Sequence, residues 1–169
     1  MADDARIVLS ATILPDEIQK RISGQVTTVT PENSSDKWFF GLINVTNSSA
    51  DLIGGQYIAI STGTSTGSSP ADVHTSDKVR FLFIKNTGTT DGSTATTEAI
   101  AICLDGGTAS FSLGDCIEIG PGEAFYCKCP NTTVGNLHAV SIDSNMTGGG
   151  SSGEGNVQCI VAAIIDDVA

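Results

Sequence analysis

Gly63-Thr64-Ser65-Thr66-Gly67 spells G-x-S-x-G, the spacing that sets a serine nucleophile on a sharp turn between a strand and a helix. Ser68-Ser69-Pro70 follows, a run that starts no helix, so the second half of such an elbow is missing. The two histidines, His74 and His138, are the candidate general bases. His74 falls in a long polar loop, Thr62–Ser76, and reads as a solvated side chain. His138 falls in an apolar alternation, Asn136–Ile142, and reads as a half-buried strand residue. A metal centre of the cupin kind needs clustered histidines with a carboxylate, and these two lie far apart in the chain. No catalytic residue, cofactor site or metal site is assigned, and the chain reads as a non-enzyme.

The five cysteines are Cys103, Cys116, Cys127, Cys129 and Cys159. All but Cys129 sit in apolar strand-like runs, where a thiol acts as a small hydrophobe. Cys127 and Cys129, two apart, face the same side of any strand they occupy. Zinc would require two more ligands close by, and no second close pair exists. Structural thiols are the expectation. Asp91-Gly92, Asp105-Gly106 and Asp143-Ser144-Asn145 resemble pieces of calcium loops, but none has the full spacing, and Asp-Gly is first a turn dipeptide. Gly120-Pro121-Gly122 suits a type II turn, with Gly at the position that needs positive φ.

The elements that must position these residues are strands. Lys78–Cys129 reads as strand, turn, strand, turn, strand, corner, strand: Val79–Lys85, Ala99–Leu104, Cys116–Ile119 and Ala124–Cys127, punctuated by Asn-, Asp- and Gly-rich turns. Before it, Gln25–Thr30, Lys37–Thr46 and Gln56–Ser61 are β-branched or aromatic runs; after it, Asn136–Ile142 and Asn156–Ile165 complete the set. Trp38, Phe39 and Phe40 form an aromatic trio, expected as core, with a sugar platform as the functional alternative. Nine or ten strands at even spacing predict an all-β chain, an antiparallel β-sandwich of jelly-roll type. One domain fits 169 residues.

The N-terminal part differs. Pro15–Ile22 is predicted as two turns of helix, with Pro at the start, Ile18 and Ile22 four apart on one stripe, and Gly24 as the stop. Residues 1–24 are accordingly read as an arm or short helix and residues 25–169 as the sandwich domain. The start, Met1-Ala2-Asp3-Asp4-Ala5-Arg6, is acidic and unlike a secretory signal, which points to folding in a cytoplasm. No apolar run approaches the ~20 residues of a membrane helix. Nineteen acids against eight bases leave a net charge of −11. A field of that sign repels phosphate, which disfavours nucleic acid and anionic membranes as partners.

Three segments of the central stretch carry a resemblance. Phe81-Leu82-Phe83-Ile84-Lys85-Asn86-Thr87-Gly88, Ile100–Gly107 (Ile-Ala-Ile-Cys-Leu-Asp-Gly-Gly) and Ile117–Phe125 (Ile-Glu-Ile-Gly-Pro-Gly-Glu-Ala-Phe) together resemble small jelly-roll virion proteins of tailed bacteriophages. The resemblance covers about a third of the chain. It implies a capsid decoration, or cement, protein at the capsid surface, made in the host cytoplasm. It also implies a homotrimer with the major capsid protein as partner, or a head-fibre or tail component instead. The N-terminal segment Ala2–Ile22 is then the expected anchor, through Arg6 and the apolar Ile7, Leu9, Ile13, Leu14, Ile18 and Ile22. The alternative is a carbohydrate- or receptor-binding module that takes a surface glycan on Trp38, Tyr57 or the Thr62–Ser76 loop.

Overall fold

A computed structural model describes residues 7–12, 21–26, 37–53, 57–59, 64–66, 73–112, 114–129, 131–141 and 155–166. Twelve strands lie in these residues: β1 (Ile7–Thr12), β2 (Arg21–Val26), β3 (Lys37–Val45), β4 (Ala50–Asp51), β5 (Tyr57–Ala59), β6 (Thr64–Thr66), β7 (Lys78–Asn86), β8 (Ile100–Cys103), β9 (Ile117–Ile119), β10 (Ala124–Lys128), β11 (His138–Ser141) and β12 (Val157–Asp166). The one helical element among them is a 3-10 turn, Val134–Asn136. The chain is an all-β antiparallel sandwich. One sheet has the order β10-β7-β12-β3-β5-β6, the other β4-β11-β8-β9, and β1 pairs with β2 in a separate hairpin.

Period-two alternation decides which residues enter the core. Phe39 and Val45 of β3, Leu82 and Ile84 of β7, and Val157, Cys159 and Val161 of β12 point inward from the larger sheet. Ile100 and Ile102 of β8, Ile119 of β9 and Ala139 of β11 meet them from the smaller one. Each fully buried Ile, Leu or Val is worth roughly 1.5–3 kcal/mol, so this shared layer holds the sheets together. β12, apolar but for Gln158 and Asp166, is central, paired with β3 on one side and β7 on the other.

Turn chemistry closes the corners. The Glu123 N–H donates to the Gly120 carbonyl at 3.0 Å, and Gly122 sits at φ +80, so the Gly-Pro-Gly corner is the expected type II turn. Its neighbour, the loop after β7, is fastened by Asn86. That side chain is fully buried and donates from Nδ2 to the carbonyls of Glu98 (2.9 Å) and Ile119 (3.3 Å). Its Oδ1 accepts the Gly88 N–H at 2.8 Å.

Several boundaries depart from the expectations. Arg21 and Ile22, read as the end of a helix, belong to β2, and Gly24, read as its stop, pairs with Leu9 inside the hairpin. Six consecutive cross-strand pairs satisfy this backbone, whereas an isolated two-turn helix is marginal in water. The 24/25 boundary therefore falls within β2; the remainder of the helix assignment, residues 15–20, lies outside the described residues. The Thr62–Ser76 loop contains a strand, β6, built from Thr64-Ser65-Thr66 against β5. Asn136 closes the 3-10 turn instead of opening a strand, and β11 starts at His138.

Candidate functional site

The outer face of the larger sheet is the site with the clearest capacity to bind. Register aligns Tyr126 of β10 with Phe83 of β7, Phe83 with Ala162 of β12, and Ala162 with Phe40 of β3. The next row aligns Lys85, Ile160 and Leu42. Phe40 is 60% exposed and Leu42 61%, both far outside the usual range for large apolar side chains on a sheet. Phe81 and Ile164 continue the same face but are buried, Phe81 with its ring 6.4 Å from that of Tyr126. The open part is thus the quarter around Phe40 and Leu42.

Phe40 corrects the expectation of an aromatic trio in the core. Phe39 is buried at 2%, but its neighbour must point the other way on an extended strand. Trp38 pairs by register with Ile164 and Ile58; its side chain and that of Tyr57 lie outside the described residues.

Charge is segregated on this sheet. Its strands carry five of the eight bases, Lys37, Lys78, Arg80, Lys85 and Lys128, and one of the nineteen acids, Asp166. A β-bulge explains how Arg80 meets that acid. The register shifts between Ile164, opposite Phe81, and Ile165, opposite Val79, which leaves Arg80 as the extra residue. Its Nε then donates to Asp166 Oδ2 at 2.9 Å. An otherwise acidic chain therefore offers an apolar patch on its most basic sheet, with Lys85 two strands from Leu42 in the same row.

The smaller sheet treats its outer face differently. Ala101, Cys103 and Val140 are buried there beneath Ala109, with Phe111 and Cys116 packed alongside. This segment, which follows β8, is a cover. At its edge His138 Nδ1 donates to the Gly107 carbonyl at 2.7 Å, and Nε2 lies 3.1 Å from Asp51 Oδ1. Cys103 pairs with His138 across the ladder, so a Cys, a His and two Asp residues gather. Their connections are not those of a nucleophile and its base. Cys103 Sγ donates to Asp105 Oδ1 at 2.7 Å, and burial together with that bond pushes the thiol up from its ordinary range. The cysteine stays protonated, and the imidazole is held by a carbonyl.

Comparison with known protein families, with curated proteins and with solved structures finds no match.

The other sequence candidates fall as follows. Ser65 lies mid-strand in β6, paired with Ile58, a position that exposes no sharp turn. Asp91 is a turn cap: Oδ1 accepts the N–H groups of Ser93 (2.8 Å) and Thr94 (2.7 Å), and these bonds hold its carboxyl below the usual range. His74 is exposed, with its N–H on Asp77 Oδ2 at 2.9 Å. Cys127 and Cys129 do share a side, with sulfurs 3.3 Å apart, and all five cysteines are free thiols. Among the described residues no three His, Cys, Asp or Glu side chains converge as metal ligands, and no helix is long and apolar enough to cross a membrane.

Of the docking residues expected near the N-terminus, Ile7 and Leu9 lie on β1 and Ile22 on β2, opposite Val26, Gly24 and Ala11 respectively. Arg6, Ile13, Leu14 and Ile18 lie outside the described residues. The Phe40–Leu42 face was legible only as an ambiguity: Phe39-Phe40-Gly41-Leu42-Ile43 is apolar at both parities. That marks either a strand buried on both faces or one with an apolar outer face.

Proposed function

We propose that this chain is a non-enzymatic structural protein of a phage virion, a decoration protein that docks on the outside of the capsid. The observation that carries the reading is the open apolar face around Phe40 and Leu42, on the sheet whose strands carry five of the eight bases, in a chain of net charge −11. Such a face suits a partner whose surface is partly apolar and acidic. The identity of that partner as the major capsid protein, and the homotrimer, rest on the resemblance of the central stretch. The β1–β2 hairpin, a separate two-stranded sheet bearing Ile7, Leu9 and Ile22, supports a second, N-terminal point of attachment.

Strand order supports the jelly-roll reading of the sandwich. Without the hairpin and the short β5–β6 extension, the sheets run β10-β7-β12-β3 and β4-β11-β8-β9. The first strand, β3, neighbours the last, β12, and the chain passes repeatedly between sheets, as two Greek keys require. Viral capsid and lectin domains share this architecture. Binding across capsid subunits stabilises the shell by linkage, because opening it then costs the added contacts as well.

Quantitative mass spectrometry of purified phage particles tests the proposal. Hundreds of copies per particle, in proportion to the major capsid protein, are expected; absence from the particle overturns it. Deleting Ala2–Ile22 should weaken capsid attachment and leave the sandwich folded. A second reading, a glycan-binding module, is favoured by the exposed ring of Phe40, since flat aromatic faces hold sugar rings. Binding to an immobilised glycan panel that is lost in Phe40→Ser would establish it.

A further inference from the structure

We propose that Cys127 and Cys129 form a peroxide-responsive dithiol, which closes to a disulfide at the C-terminal end of the edge strand β10. The two thiols stand side by side, Sγ to Sγ 3.3 Å, with Cys127 half-buried and Cys129 buried. Two residues apart on an extended strand, their Cα atoms are about 6.6 Å apart by the strand rise. That lies inside the upper end of the ~4.4–6.8 Å range a disulfide spans. Closure therefore needs a small pucker at Lys128. β10 can accept it because, among the described residues, it pairs with β7 alone, along Ala124–Lys128, and its other edge carries no ladder. A central strand such as β12 would break bonds on both sides.

The remaining thiols are placed for other work. Cys159 is fully buried on β12, Cys103 is tied to Asp105, and Cys116 accepts the Ser110 N–H at 3.4 Å. Within the pair the roles differ. The two sulfurs share one hydrogen bond in which either can donate; with the proton on the buried Cys129 it favours thiolate at Cys127 and holds the Cys129 thiol protonated. Cys127 is also the more accessible, so it meets the oxidant first.

The chemistry closes with hydrogen peroxide as oxidant. The Cys127 sulfur attacks one peroxide oxygen, the O–O bond breaks, and hydroxide leaves with the Cys127 proton as water. Cys127 is then a sulfenic acid. The Cys129 sulfur attacks it, the S–S bond forms and the S–O bond breaks, and hydroxide takes the Cys129 proton as a second water. Two thiols and one peroxide give one disulfide and two waters, with two electrons passing from sulfur to oxygen. A disulfide at the long end of its span is readily reduced again, so the modification is reversible.

The test uses the full reduced chain, treated with hydrogen peroxide, alkylated under denaturing conditions and digested with trypsin. Cleavage after Lys128 puts Cys127 in peptide 86–128 with Cys103 and Cys116, and Cys129 in peptide 129–169 with Cys159, so fragmentation of the cross-linked pair assigns the bond, and a non-reducing gel shows that it lies within one chain. The expected result is that cross-link, reversed by dithiothreitol, with Cys103, Cys116 and Cys159 still alkylated. In Cys129→Ser the reaction stops at a sulfenic acid on Cys127, trapped with dimedone. Full alkylation of all five cysteines after peroxide, a Cys103–Cys116 bond or a bond between chains overturns the proposal. The wild-type peptide map decides the matter even where the variant does not fold.

Discussion

Replacing Asn86 by alanine should cost more stability than any surface change in this protein. The side chain is fully buried and makes three hydrogen bonds, to the Glu98 and Ile119 carbonyls and from the Gly88 N–H. It joins the end of β7 to the loop that follows and to the β9–β10 corner. At about 1 kcal/mol per bond the loss is ~3 kcal/mol, and an unmet buried N–H adds at least another ~1 kcal/mol. A total of ~4 kcal/mol is a large share of the roughly 5–15 kcal/mol that holds a domain folded. For a chain of this size it lowers Tm by about 10 °C, read by circular dichroism or calorimetry. Asn86→Asp separates the hydrogen bonds from the packing. It keeps the acceptor for Gly88 but turns a carboxylate towards two carbonyls, so burial and repulsion raise its folded pKa above the ordinary ~3.9. A raised pKa makes the penalty largest at neutral pH and relieves it as pH falls through that value. Asn86→Asp should therefore regain stability relative to Asn86→Ala between about pH 7 and pH 4. An Ala variant within ~1 kcal/mol of the parent would refute the assignment of Asn86 as the fastening residue.

Three further outcomes are expected. Phe40→Ser with Leu42→Ser should leave Tm within about 3 °C, since both side chains are some 60% exposed, and weaken docking on isolated capsids about a hundredfold in a sedimentation assay. That figure takes ~1–2 kcal/mol per side chain, the exposed share of its full burial energy. Gly106→Ala, at φ +88 and with its new Cβ 2.8 Å from Asn136 Oδ1, should cost ~1–3 kcal/mol by urea denaturation. Burial pushes the Cys159 thiol up to about 12 from 9.0. Its contribution is complete below pH 9 and is lost as pH rises towards 12, by at most ~1.4 kcal/mol per pH unit, and Cys159→Val should flatten that alkaline loss in urea midpoints.

Strand placement was legible because β-branched runs between Asn, Asp and Gly turns have few other uses, and β3, β7, β8, β10 and β12 all lie within two residues of where pattern alone sets them. The N-terminal part misled for a physical reason. Pro15–Ile22 carries good helix-end signals, but Arg21 and Ile22 belong to a strand and pair with Thr12 and Ala11, nine and eleven positions upstream, and local propensity cannot see that pairing. The short β6 was hidden for the same reason: Thr64-Ser65-Thr66 is a strand only because β5 is beside it. The candidate face depends on register. Phe40, Ala162, Phe83 and Tyr126 are scattered over more than 120 positions and become one row only when four strands are aligned. The thiol pair, by contrast, needs no tertiary information, because residues two apart on one strand share a side.

A sandwich has four sheet faces, of which two make the core, and the treatment of the other two separates packing from function here. The smaller sheet has an apolar outer face, Ala101, Cys103 and Val140, and the chain returns after β8 to bury it under Ala109 and Phe111. The larger sheet has an outer face with bigger side chains, and among the described residues Phe40 and Leu42 remain open. A lone exposed leucine needs no explanation. Here the exposed pair lies in register with Ile160 and Ala162, on the sheet whose strands carry five of the eight bases of an acidic chain. Selection for solubility alone would have made positions 40 and 42 polar at almost no cost to the fold, because neither packs in the core. Phe40 and Leu42, on the strand that also supplies Phe39 to the interior, fit the proposal that another protein covers this face.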